Sequence, residues 1–302
     1  MLAKDKGDSE MKKTFGCVAA LAFALQAGAA FAQGLPQVND SYYKVAAEQL
    51  AQRIALQANV GKAKNIIVFV GDGMSVATVT AGRIYEGQKR GVDGESNNLT
   101  IDTFPYVALS KTYSHDGQVS DSAPTASGMM TGVKMRNDVI GLTADVAVGD
   151  CEGSKGKEVT TIFETAELAG KATGVVSTAR ITHATPAGAY AHSANRDWED
   201  DKSMKDKVGK GCKDIADQLV NWAAGDGLEV AMGGGRQHFL PAEMADLEDE
   251  GKTGNRNDKR NLTEEWTKKS NNHVFVFDKA GLDKVDVKSG AKILGLFERS
   301  HM

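Results

Sequence analysis

The sequence predicts an α/β fold with a central, largely parallel sheet sandwiched between helix layers. Asn65 to Val70 (Asn-Ile-Ile-Val-Phe-Val) is an uninterrupted apolar run, the pattern of a strand covered on both faces. Strand-like and helix-like segments then alternate along the chain. Glycine is abundant at 33 residues and aromatics are few at 6%, which suits many tight strand-to-helix turns.

After the first strand, Ser75 to Lys89 reads as a helix with Ser75 as its cap. Tyr106 to Thr112 reads as a strand and the stretch after Ser122 as a helix. A helix is expected at Thr160 to Ala169, then a strand at Thr173 to Ser177. The next pair is a helix at Lys213 to Ala223 and a strand at Leu228 to Met232, ending in Gly233-Gly234-Gly235. Short strands follow at His273 to Phe277 and Ile293 to Phe297. Residues 144–158 and 246–262 read as loops, the second as a solvated, charged excursion.

The N-terminus reads as an address. A polar lead precedes Met11-Lys12-Lys13, then a short apolar run from Val18 to Ala30, then Ala30-Phe31-Ala32, a small-x-small cleavage site. Residues 1–32 are therefore taken as upstream leader and secretory signal peptide, and 33–302 as one domain. Met1 and Met11 both stand open as the start. No stretch reaches the ~20 apolar residues of a spanning helix. A periplasmic or secreted location follows. Cys17 would leave with the signal, and the pair Cys151 and Cys212 would form a disulfide in an oxidising compartment, two free thiols being the other reading. With a net charge of −4 and no basic stripe, nucleic acid is not a specific partner, and a small soluble substrate fits better.

Three blocks carry chemistry. Asp72, in Gly71-Asp72-Gly73, follows the first strand, where open α/β sheets place ligands. Its carboxylate can bridge divalent cations, although Gly-Asp-Gly is also ordinary turn chemistry. Ser122 lies at a loop-to-helix junction with Pro124 in the first turn, and helix N–H groups there favour phosphate. The competing reading makes Asp121 or Ser122 an N-cap. With no histidine nearby in sequence, a metal ion must activate the serine. In the third block Thr185 is a magnesium-type oxygen ligand. His183 is a candidate to hold a metal-bound water, and Arg196 offers a fork for phosphate or else a surface ion pair with Asp197. No histidines show zinc-ligand spacing, and Gly233 to Gly235 lacks the Lys-Ser/Thr of a P-loop.

Taken together the blocks resemble the alkaline phosphatase family: Gly71-Asp72-Gly73-Met74, Asp121-Ser122-Ala123-Pro124, Thr131-Gly132-Val133-Lys134, Thr182-His183-Ala184-Thr185-Pro186, Arg196-Asp197-Trp198 and Gly233-Gly234-Gly235-Arg236. Order and spacing agree over nearly all of residues 33–302, and His183 with the two cysteines looks closer to the animal-type branch. The resemblance implies a phosphomonoesterase acting on small phosphate monoesters, with two zinc ions and one magnesium. Ser122 would become phosphoserine, Asp72 would bridge magnesium and one zinc, Thr185 would bind magnesium, and Arg196 would clamp phosphate. His183 would stand behind the magnesium, Cys151 and Cys212 would pair, and Phe297 and Glu298 match part of a peripheral calcium site. A homodimer is the family's usual state.

Family members run longer and take most zinc ligands from a downstream part rich in Asp and His. The expectation is therefore an N-terminal fragment that binds zinc poorly and turns over little p-nitrophenyl phosphate alone. Two other readings stand. A sulfatase of the same superfamily needs Cys/Ser-x-Pro-x-Arg, whereas Ser122-Ala123-Pro124-Thr125-Ala126 ends in alanine. A non-catalytic exported phosphate- or metal-binding module would leave Ser122 unmodified.

Overall fold

The computed structural model describes residues 36–55 and 61–302. The leader, the signal peptide with its cleavage site, and Cys17 lie outside the described residues. Two compact units are formed, one from Ala77–Ala108 with the described residues up to Phe69, the other from Val70–Val76 and Leu109–Met302.

In the first unit the Ser41–Ala55 helix is capped by Asp40, whose Oδ1 accepts from the backbone N–H of Tyr42 at 2.9 Å and of Tyr43 at 3.1 Å. The Val76–Lys89 helix starts directly after Ser75, the residue expected at its cap position. Its Arg83 grips Asp102 through two 2.9 Å hydrogen bonds, a fork that ties the helix to the Thr100–Thr103 turn.

Asn65 to Val70 is not a strand, contrary to expectation: Ile66 is 80% and Phe69 94% exposed. Tyr106 to Thr112 is likewise without strand structure, and Leu109 is 92% exposed. A doubly covered strand needs a ladder partner along each edge and a layer over each face. Among the described residues no β-ladder includes either segment.

The second unit holds the sheet. Strands β1 (Gly174–Arg180), β2 (Val230–Gly234), β3 (His273–Val276) and β4 (Lys292–Leu296) lie in the order β1-β2-β4-β3, every pair parallel. Central β4 has all five residues buried, matching its Ile-Leu-Gly-Leu run. On β1, at one edge, Val175 is buried while Val176 is largely exposed. Helices Ile162–Leu168, Ile215–Val220 and Leu262–Lys268 flank the sheet and send Phe163, Ile215, Leu219 and Trp266 into the core around Ala231 and Leu294.

Polar ends are satisfied locally. Thr161 and Glu164 form a reciprocal capping box at 3.1 and 2.7 Å. Tyr190, fully buried, donates its hydroxyl to the Ile181 carbonyl at 2.8 Å. Strand β2 runs on through Gly233 and Gly234, which were expected to lie in a turn beyond it, and the glycines have a steric cause: a Cβ on Gly234 would fall 1.8 Å from the Ser300 carbonyl oxygen.

Residues 247–253 of the 246–262 segment are exposed, as its composition suggests, but the flanks of the segment turn inward. Arg256 is fully buried and forks onto Asp214 at 2.9 and 3.0 Å, with Asp258 on its other side. Asp246 takes two bonds from buried Arg236, at 2.7 and 3.1 Å. Charges of opposite sign pair off, so these flanks can be buried. Within residues 144–158 a helical turn, Cys151–Ser154, carries the cysteine that is disulfide-bonded to Cys212, with Cα atoms 5.8 Å apart. This bond closes a small apolar cluster that includes Leu142, Trp198 and Met204. Among the described residues no helix is long and apolar enough to cross a membrane.

Candidate active site

The site gathers beyond the C-terminal end of β1. The chain leaves that strand at Arg180, turns, and enters the short Ala184–Ala187 helix, which carries Thr185. Thr185 donates its hydroxyl to Asp72 Oδ2 at 2.8 Å, across 113 positions of sequence. Gly188, just past this helix, lies against the Ser122–Thr131 helix, where a Cβ would come within 3.1 Å of Ala126. Small side chains let the two helices approach.

Ser122 is the first residue of its helix, and Asp121 is the N-cap, accepting from Ala123 N–H at 2.7 Å. The N-cap reading is thus correct for Asp121. Pro124 falls in the first turn, as its missing N–H favours. These two facts modify the expectation of helix donors for an anion, because Ala123 is already engaged and Pro124 has no N–H to give. Among the described residues the Ser122 hydroxyl makes no hydrogen bond.

Arg196 supplies the positive charge. Its Nη1 donates to Asp121 Oδ1 at 2.8 Å and its Nη2 to His183 Nε2 at 3.1 Å, leaving three of a guanidinium's five donors unassigned. The surface pairing with Asp197 is not formed; Asp121, next to the serine, is the partner instead. Asp121 Oδ2 also accepts from the backbone of Asp138, whose carbonyl receives Arg196 N–H, both at 2.7 Å. Asp138 holds this position with φ +65°. Burial, then the neighbouring Asp121 charge, push its own carboxyl above the usual range.

His183 accepts at Nε2, which leaves the proton on Nδ1, and that nitrogen is buried without a hydrogen-bond partner. Burial and the charges of Arg196 and Arg180 depress its pKa. A ring held neutral beside two guanidiniums keeps one donor unspent.

A second layer went unread in sequence. Glu199 takes three hydrogen bonds from Arg180, between 2.7 and 3.1 Å, and one from Thr182 at 2.6 Å. His238 bridges Glu199 at 3.4 Å and Asp200 at 2.6 Å. Burial would raise Asp200, but His238 outweighs it and brings the carboxyl down to about 2. This brace joins the turn bearing His183 to the segment bearing Arg196. The nearness of Glu199 to Arg196 was the available signal, but its partner Arg180 lies 19 positions away. His301 stacks edge-on to His183, with ring centroids 5.5 Å apart. At the calcium-like positions, Phe297 N–H bonds Gly233 at 2.9 Å and the Glu298 carbonyl accepts from Arg236 at 3.1 Å.

The family model described as Alkaline phosphatase matches residues 63–302. The chain belongs to the alkaline phosphatase family. It is 43% identical over 260 residues to the alkaline phosphatase of Gadus morhua, covering 84% of this chain and 54% of that one. The tissue-nonspecific isozyme of Homo sapiens is 42% identical over 265 residues, covering 85% and 50%. Among solved structures, Thermus thermophilus alkaline phosphatase superposes with a TM-score of 0.57 at 25% identity, covering 77% of this chain and 40% of that one. The cold-active enzyme of Shewanella sp. gives 0.54 at 26% identity, covering 77% and 46%. The chain spans about half the length of the curated relatives it matches. The alkaline phosphatase fold accounts for the parallel sheet flanked by helices.

Proposed function

We propose that this chain carries the phosphate-handling half of a phosphomonoesterase, with Ser122 as nucleophile. One observation supports it above the others: three blocks separated in sequence form a single run of contacts, Asp72 to Thr185, and His183 through Arg196 to Asp121 beside Ser122. Asp72 does lie in an exposed turn, as Gly-Asp-Gly allows, yet its carboxylate meets Thr185, and Arg196 turns to Asp121 instead of to its neighbour Asp197.

In the first step the Ser122 oxygen attacks phosphorus from the side opposite the ester oxygen. The ester P–O bond breaks as the serine P–O bond forms, and the alcohol leaves with the serine proton. Water then cleaves the phosphoserine, returning the serine hydroxyl and inorganic phosphate. Arg196, held by Asp121 and His183, meets two phosphate oxygens with its remaining N–H groups and charge. The alcohol stays in solvent, so phosphate dominates recognition.

The donor set fits magnesium. Asp72 and Thr185 oxygens lie 2.8 Å apart, close to the about 3.0 Å between adjacent oxygens on an octahedral magnesium ion. The buried, unpartnered Nδ1 of His183 suits a water of such an ion. For zinc, by contrast, the residues here supply only the Asp72 carboxylate and the Ser122 hydroxyl. Among the described residues no group of three carboxylate, histidine or cysteine ligands gathers at this site. The family's two zinc ions therefore have no complete donor set here. A bound divalent ion would lower the serine pKa and so supply the alkoxide.

Covalent trapping tests the reading. Incubation with a phosphate monoester in zinc and magnesium, acid quench and peptide mass spectrometry should find phosphate on Ser122 and none in Ser122→Ala. An unmodified Ser122 under these conditions supports the binding-module reading, and preferential cleavage of a sulfate ester would favour a sulfatase. Export to the periplasm or medium, the signal peptide and homodimerisation remain part of the same proposal, carried by the N-terminal pattern and by family membership.

A further inference from the structure

At the opposite end of the sheet, where the strands begin, three carboxylates converge. Thr173, Glu229 and Lys292 stand at the starts of β1, β2 and β4. Glu167, at the end of the Ile162–Leu168 helix, faces them and is only 4% exposed. One oxygen each from Glu167, Asp226 and Glu229 lies within 4.8 Å of the others.

Most of this cluster is satisfied internally. Lys292 Nζ donates to the carbonyls of Asp226 and Gly227 at 2.8 Å and to Glu229 Oε1 at 3.1 Å, with Asp226 Oδ2 also at 3.1 Å. Thr173 gives its hydroxyl to Glu167 Oε1 at 2.5 Å and its N–H to Glu229 Oε2 at 2.6 Å. Two features are left over. Three carboxylates face one ammonium, so the group carries an unbalanced negative charge. Glu167 Oε2 is buried with no hydrogen-bond partner, and it points at the turn bearing Asp226: a Cβ on Gly225 would come within 2.6 Å of it. A buried, unpaired carboxylate oxygen costs several times what a hydrogen bond returns, so a ligand there has much to gain.

We propose that Glu167, Asp226 and Glu229 bind a hard divalent cation of the calcium class beside Lys292. The donors are all oxygen, which excludes a preference for soft metals. Their oxygens lie close enough together for one ion to reach all three. A doubly charged ion brings the group, with Lys292, to neutrality. Burial, then Glu229 and Asp226, hold the Glu167 carboxyl above its ordinary range, as crowded anions do. Access is open, because the Asp226 side chain is 78% exposed. It lines a cavity of about 310 Å³ together with Trp222 and Trp266. Nothing in this inference depends on Ser122 or on phosphate chemistry.

The test uses the whole chain, freed of metal with EDTA and titrated with terbium, whose emission neighbouring tryptophans sensitise. Calcium should displace terbium and raise the thermal midpoint, in wild type and in Asp72→Asn alike. Asp226→Asn, at an exposed position that the fold tolerates, should weaken calcium about tenfold or more, as loss of one anionic ligand does. Glu167→Gln should do the same, with far-UV circular dichroism verifying the fold. If both variants titrate like wild type, or if Asp72→Asn alone abolishes the response, the ion belongs elsewhere and the proposal falls. Absence of any calcium response would leave Lys292 as the only counter-ion and overturn it equally.

Discussion

Arg196 illustrates how a residue acquires its role from partners rather than neighbours. Asp197 adjoins it in sequence, yet the guanidinium turns to Asp121 and His183. Asp121 in turn serves the helix start, Arg196 and the Asp138 backbone with one carboxylate. Arg196→Ala is expected to weaken inorganic phosphate about ten- to hundredfold, the worth of charge-assisted hydrogen bonds, while the thermal midpoint moves little. Asp121→Ala should lose phosphate affinity and also about 1 kcal/mol of stability, because the cap goes with it. Isothermal titration with phosphate and thermal melts separate the two. Arg196→Lys should not restore the wild-type affinity, since an ammonium cannot fork.

Among the elements, the Ile162–Leu168 helix is tied to the 188–193 turn by a histidine. His192 Nδ1 meets the Gly141 carbonyl at 2.7 Å and Nε2 meets Glu164 at 3.2 Å, so both nitrogens face acceptors. Burial lowers its pKa, but the Glu164 and Gly141 bonds outweigh that and raise it above 6.5. A raised histidine stabilises the fold fully below its unfolded pKa, and that contribution fades as pH climbs through the folded value. His192→Gln should therefore cost about 1–2 kcal/mol below pH 6.5, with the gap to wild type closing as pH rises above it. Urea unfolding at several pH values measures this, and a gap that widens with pH would contradict the assigned charge state.

For the molecule as a whole, the disulfide and the exposed apolar runs set stability in opposite directions. Cys151 and Cys212 are 61 residues apart. Chain entropy assigns a loop of that length about 4 kcal/mol, so dithiothreitol or the double Cys→Ser variant should lower the thermal midpoint markedly. An unchanged midpoint on reduction would mean that the bond adds nothing beyond the cluster around Trp198 and Met204. Asn65 to Val70 and Tyr106 to Thr112, in contrast, expose the kind of surface that folded sheets normally cover.

Local chemistry was legible where it is short-ranged. Four strands and the helix beginning at Ser122 with its proline follow from periodicity and turn residues, whereas the meaning of the motif blocks came from their resemblance to a family. The expected post-strand turn at Gly233 to Gly235 was legible only in Gly235, since Gly233 and Gly234 still belong to β2 and pair with its neighbours. What needed the tertiary structure was every statement about partners. Asp72 meets Thr185, Glu199 locks Arg180, and the charged 246–262 stretch buries its arginine instead of solvating it. The same holds for the strands that did not form: an apolar run declares a wish to be covered, but pairing is a property of two segments. Hydrophobic pattern is written along the chain, whereas hydrogen bonds and ion pairs across a hundred residues depend on which surfaces packing brings within 3 Å.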